Sequence, residues 1–201
     1  MTTVLAATAA VLFLVRLVLF VALHLVPSDY SPVRHAVSDY AVGRTRRLST
    51  AATWTMALAW AALAGAVAGT SWAEKTEVLW QLVPLVVLFV ALPFLPTDLE
   101  GQRSTTVGRL HLLAAIAWFA LSYSLTGNFS RYLADAGVLG TALVVLHWVA
   151  LAALVALVAS LVVQPLRSRT FGISERVFIV AITLFFLLAS IGLALDVAVT
   201  S

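Results

Sequence analysis

The sequence contains no cysteine, so disulfides, thiolate metal ligands and thiol nucleophiles are all excluded. Charge is nearly as scarce: Asp, Glu, Lys and Arg make up 10% of the 201 residues, against 62% hydrophobic. A water-soluble domain of that composition would have too little polar surface to cover its core. Also missing is any basic cluster interleaved with aromatics, which excludes a nucleic-acid partner. No internal repeat relates residues 1–100 to 101–201, and no matched pair of broken helices marks the two halves, as it does in many carriers.

What the chain does have is long apolar runs. They fall at roughly 3–25, 50–70, 78–96, 107–126, 137–163 and 175–199, close to the ~20 residues that cross a bilayer. The expected fold class is all-α: a polytopic transmembrane helix bundle with six spans, one domain over 1–201, and a short interfacial amphipathic helix after the first span. Residues 1–25 have no charged leading segment and no small-residue cleavage site, so they read as the first span and not as a removable signal. The joints after spans one, three and five carry Arg34, Arg44, Arg46, Arg47, Arg103, Arg109, Arg167, Arg169 and Arg176, nine of the twelve basic residues. Lys75 and Arg131 lie on the other side and Arg16 inside the first run. Basic joints stay cytoplasmic, which predicts both termini outside.

The longest polar stretch runs from His24 to Gly43. Ser31 suits an N-cap, Pro32 a first helical position and Gly43 the residue past a helix end. Between them Val33, Ala36, Val37, Tyr40 and Ala41 follow the i, i+3, i+4, i+7, i+8 pattern of one apolar face, which predicts a helix over 32–42 lying in the interface. In the second run Ala61, Gly65 and Gly69 form a small-residue stripe suited to close helix packing, and a possible homodimer seam. Pro84, Pro93 and Pro96 predict a kink or early unwinding in span three, directly before Asp98 and Glu100.

Ionisable groups inside a span are costly and face the bundle interior. His24 ends span one and His111 lies about one turn into span four, at the same end as Asp98, Ser38 and Tyr40. His111, Trp118 and Ser122 share one face of their helix; Arg109 points about 200° away from His111. The candidate catalytic residues are therefore Asp98, His111, His24, Tyr40 and Ser38, with Arg34, Arg109 and Trp118 as substrate-binding residues. Asp98 and His111 suit an acid–base pair. No cofactor is expected; His24, His111 and Asp98 form a conceivable two-His, one-carboxylate metal set, but they come from three separate elements with no local ligand spacing. His147, near mid-span, lies too deep to join them and suits interhelical hydrogen bonding.

Two motifs are distinctive. His24-Leu-Val-Pro27, Asp29 and Pro32-Val-Arg-His-Ala-Val-Ser38-Asp39-Tyr40-Ala-Val-Gly43 resemble the first signature of a bacterial family of domains of unknown function numbered 998. Leu-Pro96-Thr97-Asp98 and Gly108-Arg-Leu-His111 are similar to that family's second signature. The resemblance covers nearly the whole chain. It implies a six-span integral membrane protein of the bacterial plasma membrane, and it implies no activity.

Three functions fit these residues. The favoured one is a membrane-embedded enzyme acting on a lipid or isoprenoid through the clustered polar site. The second is a small-solute or proton-coupled transporter, in which Arg16, His147 and the His24–Asp98–His111 group mark a graded polar path. The third is a structural membrane protein without catalysis.

Overall fold

The computed structural model describes residues 1–99 and 103–196; Glu100 and the last residues of the sixth apolar run lie outside them. Six long helices form: α1 (Thr2–Leu25), α2 (Arg46–Ala68), α3 (Lys75–Ala91), α4 (Thr106–Tyr132), α5 (Val138–Val162) and α6 (Gln164–Ala194). All six contain a stretch long and apolar enough to cross a membrane, and no strand occurs among the described residues.

Round the bundle the order is α3–α2–α1–α6–α5, and α4 closes the ring between α3 and α5. α4 is the helix least packed against the others, whereas α6 is the most buried span. The centre is aromatic. Trp60 meets Phe13 edge-on at 5.2 Å and Phe186 at 4.7 Å between centroids, and Phe129 adds to Phe186 at 5.5 Å. Lipid tails are as apolar as these side chains, so such packing contacts hold the bundle together in place of water exclusion; each edge-on pair contributes about 0.5–1.5 kcal/mol beyond burial.

The small-residue stripe serves this packing within the chain. A Cβ on Gly65 would lie 3.0 Å from Leu5, and one on Gly69 would strike Thr2, so α1 of the same chain packs close to both glycines, while Ala61 and Gly69 keep an exposed side.

Two joints differ from the periodicity. Span six is longer at its start than its apolar run, because α6 begins at Gln164 and only Val163 separates it from α5. The segment after α1 folds as a 3-10 turn over Val37–Ala41 in place of an α-helix over 32–42. The cause is competition from α6. An α-helix there needs Val37 N–H on Val33 O and Asp39 N–H on His35 O. In the structure Val37 N–H donates to Glu175 Oε2 (2.7 Å), Val33 O accepts from Gly172 N–H (3.0 Å), and His35 O accepts from Arg176 Nη1 (2.9 Å). Residues 26–45 thus become a strap tied by its backbone to α6. Gly172 is required there, since a Cβ would meet Pro32 O at 2.5 Å and Val33 O at 2.8 Å.

Candidate functional site: a cleft beneath the strap

Between the strap, α4 and the inner faces of α1 and α6 lies a cleft of about 1410 Å³, large enough for a drug-sized or single-chain lipid ligand. Its apolar wall includes Phe89, Trp118, Phe119, Leu157 and Ile179, and its polar lining includes Arg16, Asp39, Asp98, His111 and Glu175. Six of the eight residues singled out in the sequence line it: Asp98, His111, Ser38, Arg34, Arg109 and Trp118. His24 and Tyr40 belong instead to the cluster that fastens the strap.

In His111 the Nδ1 atom lies 2.7 Å from Leu95 O. A carbonyl only accepts, so Nδ1 carries a proton and Nε2 is the nitrogen left for another partner. No protein group among the described residues bonds that Nε2. Leu95 O is available because α3 ends at Ala91, followed by a 3-10 turn over Leu92–Phe94; the unwinding that Pro93 and Pro96 predict therefore supplies the acceptor. Trp118, two turns along α4 from His111, packs on Phe89 (5.5 Å) and Phe178 (5.8 Å).

Asp98 is not hydrogen-bonded to His111. Its two carboxylate oxygens accept from Thr105 N–H (2.7 Å) and Thr105 Oγ1–H (2.8 Å), while Thr105 Oγ1 accepts from Gly108 N–H (3.0 Å). The carboxylate thus caps the start of α4, favoured by the helix dipole. A Cβ on Gly108 would collide with that carboxylate, which is the physical reason for an Asp98…Gly108 pairing. Arg109 Nε–H donates to Ser104 Oγ at 3.2 Å on the exposed side.

His24 is saturated. Nδ1–H donates to Phe20 O (2.7 Å) and Nε2 accepts from Arg176 Nε–H (2.8 Å), so the ring is neutral, with neither nitrogen open to a proton or a metal. Arg176 also reaches Gly172 O (2.8 Å) and lies 5.5 Å from the centre of the Tyr40 ring. Tyr40 is 1% exposed, and its hydroxyl donates to Tyr30 O at 3.1 Å. Burial, then Asp39 and Asp29, push the Tyr30 phenol above its ordinary value, so it stays neutral beside them. Among the described residues no three His, Asp or Glu side chains come together to hold a metal. The set His24, His111 and Asp98 therefore does not assemble.

His147 stands apart from the cleft. Its Nδ1 pairs with Thr126 Oγ1 (2.7 Å) and Nε2 with Tyr123 Oη (3.2 Å). Since Thr126 Oγ1 gives its proton to Tyr123 O (2.6 Å), Nδ1 donates and Nε2 accepts, and the ring is fully used between α4 and α5.

Sequence reasoning passed over Glu175 and took Arg176 for a loop cation. Glu175 is buried, lines the cleft and accepts from Val37 N–H. The signal was available: Glu175 precedes Phe178, Ile182 and Phe186 at helical spacing, and all three are fully buried. Asp39 was likewise not among the candidate site residues. It is buried, lines the cleft and accepts from Ala36 N–H at 3.0 Å.

The fold and cleft define a polytopic helical membrane protein with a polar-lined, apolar-walled cavity under one end of its bundle. The chain belongs to the family described as Protein of unknown function (DUF998), whose model matches residues 5–192. That match takes in both motifs and every residue of the cleft. No curated protein and no solved structure matches the chain.

Proposed function

We propose that the protein is an enzyme of the bacterial plasma membrane that takes a lipid or isoprenoid amphiphile sideways into the cleft and uses His111 as its acid–base group. The observation that carries this reading is the state of His111: Nδ1–H is fixed on Leu95 O while Nε2 has no protein partner among the described residues in a ring that lines the cavity. A backbone carbonyl on one nitrogen orients an imidazole whose other nitrogen exchanges protons. Arg34 and Arg109 stand at the exposed mouth, where they attract an anionic headgroup; Trp118 and Phe119 offer an apolar wall to a chain, and the Ser38 hydroxyl is a hydrogen-bond donor on the strap side. Asp98 then acts through the start of α4, and His24 and Tyr40 through Arg176, as positioning residues. The concentration of basic residues at this end supports a cytoplasmic-leaflet mouth and outward termini.

The transporter reading has less support. His147, the deepest group its polar path requires, does not line the cleft and is saturated by Thr126 and Tyr123.

The test is mass spectrometry of lipid co-purifying with the wild type and with His111→Gln. The variant is expected to carry a specific amphiphile that the wild type converts on mixing, with turnover lowered about a hundred- to ten-thousand-fold. Identical bulk lipid on both proteins, with no conversion, would remove the enzyme reading.

A further inference from the structure

Among the described residues of the cleft, Arg16 is a charged group set well inside a span. It lies nine residues before the end of α1 at Leu25, about 14 Å further in at 1.5 Å per residue. It is 8% exposed, lines the cleft, and has neither Nε nor Nη1 hydrogen-bonded. Its nearest compensation is the Phe20 ring, 5.5 Å from the guanidinium carbon. The acids that share the cleft are directed elsewhere: Glu175 accepts from Val37 N–H and Asp39 from Ala36 N–H, and no bond joins either to Arg16 among the described residues. The arginines of the mouth differ, since Arg34, Arg46 and Arg109 are exposed and can be neutralised by water or lipid headgroups. A cation within a span is retained at a cost unless something balances it. The space beside Arg16 is where that balance can come from.

We propose that Arg16 binds the anionic group of a single-chain amphiphile, a carboxylate or a phosphate, at the inner end of the cleft, with the apolar chain lying along Trp118, Phe119 and Ile179. This rests on the reading that the cleft accepts a membrane amphiphile, and it adds which chemical group is recognised and where. Desolvated guanidinium–anion hydrogen bonds are the strong, charge-assisted kind, so the anion gives both affinity and direction. The arginines at the mouth collect anionic amphiphiles; Arg16 holds them.

The test uses the full chain in a neutral maltoside detergent, titrated with oleate, oleyl phosphate and oleyl alcohol. The wild type is expected to bind one or both anions at least about tenfold more tightly than the alcohol; the tighter anion names the headgroup. Arg16→Met is expected to level the three affinities while the ligand-free variant melts at or above the wild type, because an unpartnered charge has left a span. Arg16→Lys, a point charge without the planar fork, is expected to lose most of the preference for the anions and none of the affinity for the alcohol, and it carries the test if Arg16→Met does not fold. A wild type without preference for an anion, or an Arg16→Met that keeps one, overturns the proposal. If Arg34→Gln/Arg109→Gln loses the preference and Arg16→Met retains it, the anion sits at the mouth: the proposal falls and the amphiphile cleft stands. If no chain-bearing probe binds the wild type, the cleft reading fails and takes the proposal with it.

Discussion

His24 and His111 each bond a backbone carbonyl through Nδ1, and the difference between them lies in the other nitrogen: that of His24 accepts from Arg176, while that of His111 has no protein partner among the described residues. In the proposed function the two histidines are therefore told apart by what their second ring nitrogen bonds. The same reasoning applies to Glu175, whose carboxylate ties the strap to α6 by accepting from Val37 N–H. Glu175→Gln keeps an acceptor oxygen and is expected to stay within about 1 kcal/mol of the wild type, whereas Glu175→Ala strands a buried N–H and costs about 1–3 kcal/mol. Thermal unfolding of the two variants checks this; equal losses would mean that charge, and not the hydrogen bond, fastens the strap. At this scale the sequence placed His24, His111 and Asp98 at one end of the bundle, because depth follows from residue number, and it missed Glu175 and Asp39. It did not show which were saturated. That depends on Leu95 O and on the guanidinium of Arg176, groups 16 and 152 residues away in the chain.

At the scale of elements, local sequence decided the helix ends and a distant helix decided the strap. α3 runs through Pro84 and ends at Ala91, two residues before Pro93, whose missing N–H withholds the next helical bond, so the sequence locates the unwinding near Pro93 without telling which proline the helix tolerates. The strap has a good helical pattern of its own, yet Gly172, Glu175 and Arg176 take the backbone groups its first turn needs; periodicity has no access to such competition. The start of α4 is a third case, where Asp98 crosses a loop to cap Thr105 directly above Gly108. Gly108→Ala is expected to cost about 1–3 kcal/mol through the clash, and Asp98→Ala about 0.5–2 kcal/mol through the lost cap. Both act on the same carboxylate, so the double variant should cost less than the sum: once Asp98 is truncated, the three atoms nearest the added methyl are gone. Strict additivity in a denaturation cycle would show that Gly108 is required for some other contact.

At the scale of the whole molecule, loose packing and charge meet at one place. α4 is the least tightly packed of the six helices, yet its Phe129 reaches the aromatic centre, so under the proposed function an entering chain would pass at the strap end of α4, away from Phe129. The mouth lies at the end that carries most of the basic residues, which fixes which leaflet the ligand comes from once the orientation is known. The absence of cysteine makes that orientation directly measurable, because one introduced thiol is the only thiol. Ser28 follows α1 at the basic end, and Ala73 lies between α2 and α3 at the other; both are exposed. In intact cells a membrane-impermeant maleimide is expected to label Ala73→Cys and to reach Ser28→Cys only after lysis, since short basic joints are retained in the cytoplasm. The reverse pattern would put the mouth on the outer leaflet. The amphiphile would then have to be an outer-leaflet lipid, and the nine basic residues would serve to gather it and not to orient the chain.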